Sequence, residues 1–177
     1  METSTKSSAI NYGLYLGGLL SLLTVIAYAI NLDLFTKWWF GIAILIVIMA
    51  FGIISSLKSK KMQNGFITFK ETFTSYFITI VIGLVISAFV SIIIFNFIDP
   101  EAAVVLKEKL MDSQVQTMRN WGAPEESVAA VVEEFEKQDN MYSIGNVLQS
   151  ILFQIIGFSI VGLIASLIIK RNPETAE

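Results

Sequence analysis

The sequence contains no cysteine and no histidine in its 177 residues. Without thiols there is no disulfide framework and no thiolate nucleophile. Without imidazole, zinc sites of the usual kinds and Ser-His or Cys-His catalysis fall away as well. Charge is scarce, at 15% Asp, Glu, Lys and Arg, where soluble chains carry about a quarter. In its place stand 54% hydrophobic residues and a mean hydropathy of +0.68. That excess is gathered in long runs which a globular core of this size cannot bury, so an ordinary soluble domain is excluded. The net charge of -3 is small, and neither a cofactor nor a nucleic-acid partner is expected. The placement of the charges along the chain is more informative than their sum.

A transmembrane helix needs roughly 20 mostly apolar residues, each rising about 1.5 Å, to cross a hydrocarbon core of about 30 Å. Four stretches meet this length, at residues 9–30, 35–57, 72–98 and 146–169. No Asp, Glu, Lys or Arg interrupts the middle of any of them. Val and Ile abound, as in residues 42–48, but such lengths do not suit strands. A lipid-exposed strand outside a closed barrel would also leave its backbone unpaired. The expected fold is all-α, a four-span transmembrane helical bundle forming one membrane domain over 1–177, with 99–145 as an insert between spans three and four.

Lys6, the apolar run behind it and the triplet Ala27-Tyr28-Ala29 also fit a signal peptide with a small-x-small cleavage site. The run exceeds the usual apolar core of about 7–15 residues. It also carries Gly13, Gly17 and Ser21 at four-residue spacing, which suits a retained packing helix. An uncleaved first span is the expectation.

Lys and Arg near the span ends set orientation. Lys6 precedes span one, Lys58, Lys60, Lys61 and Lys70 lie between spans two and three, and Lys170 and Arg171 follow span four. The connection 31–36 has no basic residue, and 99–145 sets Lys107, Lys109, Arg119 and Lys137 against ten acids. Both termini are therefore expected in the cytoplasm and the acidic insert outside. Trp38, Trp39 and Tyr142 fall where an outer aromatic belt belongs.

The insert reads as a helical hairpin. Asp99-Pro100-Glu101 is a helix start, with Asp as N-cap, Pro at the first position and acid near the positive dipole end. Trp121-Gly122-Ala123-Pro124 breaks that helix, and a second one follows with Val128, Val131, Val132 and Phe135 at i, i+3, i+4 and i+7. This apolar face is expected to pack on the first outer helix, Phe135 near Met111 and Val115, with Glu134 in water. A pair this short buries too little to stand alone and must lean on the bundle, the bilayer or a partner.

Candidate positions within the spans are few. Small residues recur every fourth position at Gly13, Gly17 and Ser21 and again at Thr79, Gly83, Ser87 and Ser91, with Gly162 and Ser166 in span four. Such stripes let helix backbones approach in lipid, and packing is preferred here over a permeation path. Ile44, by contrast, reads as lipid-facing. Asn96, Asn146, Gln149 and Gln154 are the strongest polar groups, and Gln154, well inside span four, is the candidate intramembrane polar site. The acids Glu125, Glu126, Glu133, Glu134, Glu136 and Asp139 match no cation-binding loop and read as a solvated face. Lys58, Lys60 and Lys61 read as topogenic, with anionic head groups as the alternative.

Residues 65–73, Gly-Phe-Ile-Thr-Phe-Lys-Glu-Thr-Phe, open span three, and Phe97-Ile98-Asp99-Pro100 closes it. With the acidic insert and a last span ending in Lys-Arg, this pattern resembles the DUF4199 family, small multi-pass membrane proteins of Bacteroidetes-type bacteria with no established activity. The resemblance covers essentially the whole chain. It implies a bacterial inner-membrane address and brings no catalytic residues.

The sequence therefore favours a non-enzymatic membrane protein, a structural or accessory subunit whose outer hairpin contacts a membrane-protein partner. The alternative is a homo-oligomeric channel or transporter-like protein for a small solute. Ion-coupled carriers place ionisable groups or broken helices at mid-membrane, and neither is visible. An enzyme without His or Cys would need Asp, Glu or Ser converging in one pocket, and Asp99 with the Glu-rich insert is the only candidate.

Overall fold

A computed structural model of the chain describes residues 2–138 and 140–171; Asp139, one of the acids singled out above, lies outside them. The described residues form α1 (Glu2–Ile30), a 3-10 turn (Leu32–Thr36), α2 (Trp38–Met62), α3 (Phe69–Ile93) running on into a π turn (Ile94–Ile98), α4 (Pro100–Asn120), α5 (Glu125–Lys137) and α6 (Ile144–Ile169). Four helical stretches are long and apolar enough to cross a membrane: Ser4–Ile30, Trp38–Met62, Phe69–Ile98 and Ile144–Ile169. The bundle is all-α, as its composition requires. Its second helix outruns the apolar window 35–57 because Lys58, Lys60 and Lys61 favour a helix C-terminus, where their charge meets the carbonyl end of the dipole.

The helix ends are set by local chemistry. Thr68 and Glu71 form a capping box at the start of α3, each side chain serving the other's backbone N–H. Asp99 accepts the N–H of Ala102, and Pro100 fills the first position of α4. Ser143 accepts the N–H of Asn146 at the start of α6. The α2–α3 turn needs left-handed backbone at Asn64 (φ 56°) and Gly65 (φ 88°), which the amide side chain and the glycine tolerate.

Among the described residues, α3 is the central helix and touches α1, α2 and α6, whereas α6 touches only α3 and α2. The main core joins Leu16 and Leu20 of α1, Ile48 of α2, and Tyr76, Ile80 and Leu84 of α3. Ile44, expected to face lipid, instead packs partly buried against this core; Ile46, 55% exposed, is the open position on that helix. A second core, at the opposite end from the α2–α3 turn, gathers Ile94 and Phe95 with Ala102, Ala103 and Leu106 of α4. The π turn makes this possible: Asp99 N–H reaches back to the Ile94 carbonyl at 2.8 Å. The wider coil buries Phe95 completely.

Candidate functional site

Of the predicted small-residue stripes, Gly13, Gly17, Thr79 and Gly83 lie at the α1–α3 crossing, while Ser87 and Ser91 line a groove between α3 and α6. A Cβ at Gly13 would stand 2.7 Å from Ile82 Cβ, one at Gly17 2.7 Å from Ile86 Cβ, and one at Gly83 2.5 Å from Leu16 Cδ2. Each glycine is a socket for a branched side chain of the other helix. Ser21 is half-buried with its hydroxyl unpaired, and Ser91 donates to the Ser87 carbonyl within its own helix at 3.1 Å.

A second set of sockets joins Gly162, part of the predicted small-residue pattern, to Gly52, which was not singled out in the sequence. The ring of Tyr76 on α3 lies between Gly52 of α2 and Gly162 of α6; a Cβ at either would meet ring carbons at 2.5 Å. Below it runs a seam of buried hydroxyls. Thr79 Oγ1 is 2.8 Å from Ser55 Oγ, 2.9 Å from the Ser75 carbonyl and 3.0 Å from the Ala9 carbonyl. Ser75 donates to Ser59 at 2.9 Å, and Ser56 to the Thr72 carbonyl at 3.1 Å. Gly52, Ser55, Ser56 and Ser59 stand at i, i+3, i+4 and i+7, so the small-residue spacing read in α1 and α3 also marks this face.

Beyond the seam, the two ends of the bundle differ in charge. At one end Lys60 Nζ donates to the Ile169 carbonyl at 2.7 Å, which caps α6. Ile67 and Arg171 exchange both backbone hydrogen bonds, at 3.0 and 2.9 Å, and the Arg171 guanidinium sits over the Phe66 ring. Lys60, expected as a topogenic charge, is thus a structural cap of α6. A cleft of about 230 Å³ at this end is lined by Thr5, Lys6, Lys70, Glu71, Thr74 and Ser75.

At the other end, α4 lies across the bundle. Lys109 forms an ion pair with Asp33 of the first connection, which holds the Asp33 carboxyl below its usual range. Lys107 donates to the Gln138 carbonyl. Tyr28 donates to Asp99 at 2.9 Å, so this carboxylate serves both a phenol and the α4 cap. Asn96 donates to the Tyr142 carbonyl at 2.7 Å and accepts from Asn140, whose own carbonyl accepts from Asn146. Tyr142 stacks on Phe95 with ring centroids 4.1 Å apart, and burial pushes its phenol up to about 12. Tyr142 is a packing residue, not the belt residue expected; Trp38 and Trp39 are exposed.

The predicted apolar face of α5 is unevenly covered. Val128 is buried, while Val131, Val132 and Phe135 are half-buried and Glu134 is exposed; among the described residues α5 touches α4 alone. Gln154, the candidate intramembrane polar site, donates to Ser150 Oγ on its own helix at 3.1 Å and is exposed. With Ser150 it lines a groove of about 250 Å³ between α6 and α3, whose other wall carries Ser87 and Ser91. A wholly apolar groove of about 370 Å³ flanks the same helix pair on its other side.

Comparison with known proteins adds one match. The family model described as "Protein of unknown function (DUF4199)" matches residues 11–171, and the chain belongs to that family. No curated protein and no solved structure matches it.

Proposed function

We propose that this family member is a non-enzymatic integral protein of the bacterial inner membrane, a structural or accessory subunit whose α4–α5 pair contacts a partner membrane protein. The basic end of the bundle then faces the cytoplasm with both termini, and α4 and α5 lie outside. The carrying observation is the way α4 is held. The Asp33–Lys109 pair, the Tyr28–Asp99 bond and the Phe95 core fix it to three elements of the bundle. It still presents Val104, Val105 and, at 85% exposure, Trp121. A rigidly seated helix with an outward aromatic anchor is what a protein interface uses, since little ordering entropy is left to lose on binding.

The interior supports the same reading. The hydroxyls of the seam, Ser55, Ser56, Ser59, Ser75 and Thr79, are bonded to one another and to backbone carbonyls, an arrangement that serves close packing, while those of Ser21 and Tyr76 are unpaired among the described residues. Asp99, named with the Glu-rich insert as the catalytic candidate, is occupied as N-cap and phenol acceptor.

Affinity purification of the full chain in mild detergent, beside Trp121→Ala, tests this. A stoichiometric membrane-protein partner should co-purify with the natural chain and be lost with Trp121→Ala, while thermal stability stays unchanged. A partner held equally by both, or none with either, would contradict the reading.

A further inference from the structure

We propose that the face of α6 carrying Ser150, Gln154 and Gly157 is a self-association site, where a second copy of this chain packs so that the two Gln154 amides bond each other. Gln154 lies about 15 Å along α6 from Ile144, ten residues at about 1.5 Å each, in an otherwise apolar stretch. Its one bond among the described residues goes to Ser150 of the same helix. The amide oxygen and the second N–H remain unmatched, and hydrocarbon has nothing to offer them.

α6 is also the least covered span. Its most apolar window is 11% buried in the chain's own fold, against 28% for each of the other three. Ser150, Gln154 and Gly157 fall within a sector of about 60° at about 100° per residue. Gly157 is open, with nothing within 4 Å of where a Cβ would stand, whereas Gly162 on the same helix is filled by Tyr76. Beside this strip runs the groove walled by Ser87 and Ser91, so a neighbouring helix finds both a recess and small residues that allow close approach.

The chemistry selects a second copy as the occupant. Acyl chains carry no donor or acceptor, and lipid esters sit at the interface, not at this depth. Two copies inserted the same way and related by a two-fold axis along the membrane normal bring Gln154 to equal depth on both sides. A primary amide carries donors and an acceptor and is self-complementary across such an axis. The site is separate from the α4–α5 surface and stands if the accessory reading fails.

The chain has no cysteine, so single-cysteine variants of the full protein report on the contact directly. In membranes, oxidative cross-linking should give a dimer with Gly157→Cys but not with Ile46→Cys on the open face of α2. Ile164→Cys, two turns further on, reads the same face should Gly157→Cys disturb folding. Adding Gln154→Leu should weaken dimerisation about tenfold, or about 1.4 kcal/mol, with the monomer's thermal stability unchanged. Cross-linking no stronger at Gly157 and Ile164 than at Ile46, or a dimer indifferent to Gln154→Leu, would overturn the proposal. So would a monomer that holds a lipid or another polypeptide in this groove.

Discussion

At Gly52 and Gly162 only a hydrogen leaves room for the Tyr76 ring, and at Gly83 only a hydrogen leaves room for Leu16. Bulk at such sites forces backbones apart that the bundle needs close together. Gly83→Leu and Gly162→Leu are expected to destabilise by about 1–3 kcal/mol or more, read as earlier thermal aggregation in detergent. Ile46→Leu should be neutral, since that side chain is open. The hydroxyl seam should be more forgiving. Ser55→Ala leaves Thr79 its two carbonyl acceptors, so a loss of about 0.5–1 kcal/mol is expected in the same assay. The stripes on α1 and α3 are legible as spacing, because a small residue every fourth position has one steric meaning in lipid. The seat of Tyr76 is not legible: a lone tyrosine in an apolar run looks the same whether its ring meets lipid or two glycines on different helices.

Among the elements, α4 carries the functional claim, and its seating is partly electrostatic. Asp33 is held below its ordinary range first by the hydrogen bond from Lys109. A carboxyl depressed in the folded state contributes stability above its unfolded value and loses it as pH falls through the folded one. The Asp33–Lys109 tether should therefore be intact at neutral pH, its contribution falling only once pH drops below the ordinary value of 3.8 and vanishing as pH passes through the lower folded value. Asp33→Asn should reproduce that release at neutral pH, seen as faster hydrogen exchange along α4, and added salt should move the natural chain the same way. α5 tests the apolar stripe. Phe135 is half-buried, so Phe135→Ala should cost less than the 3–5 kcal/mol of a fully buried ring, about 1–3 kcal/mol. It should raise exchange over residues 125–137, while Glu134→Ala leaves exchange unchanged. The start of α4 is legible from Asp99-Pro100, whereas the π turn before it is not. That turn follows from the tertiary pull of Phe95 towards Tyr142, Tyr28 and Phe35, which no local spacing announces.

For the whole molecule, length and apolar periodicity were enough to read four helices and their order, because a bilayer-length apolar run has few other solutions. Which helix is central was beyond reach, since α3 and α6 are equally apolar to the eye and differ in their contacts. The hydrogen-bonded work of Lys60 was hidden for a similar reason: a lysine at a helix end serves topology and capping with the same charge. The polar candidate Gln154 was visible as an anomaly, yet its place on the least covered face of the bundle comes only from the fold.

The proposed role of α4 requires that the basic end face the cytoplasm and that α4–α5 face out. Single cysteines at Glu134 and Lys61, both exposed, test this in intact spheroplasts with a membrane-impermeant maleimide; neither position disturbs Lys60, whose ammonium caps α6. The expected result is labelling of Glu134→Cys in intact spheroplasts and of Lys61→Cys only after permeabilisation. Labelling of Lys61→Cys in intact spheroplasts, with or without Glu134→Cys, would contradict the proposed orientation and, with it, the role of α4.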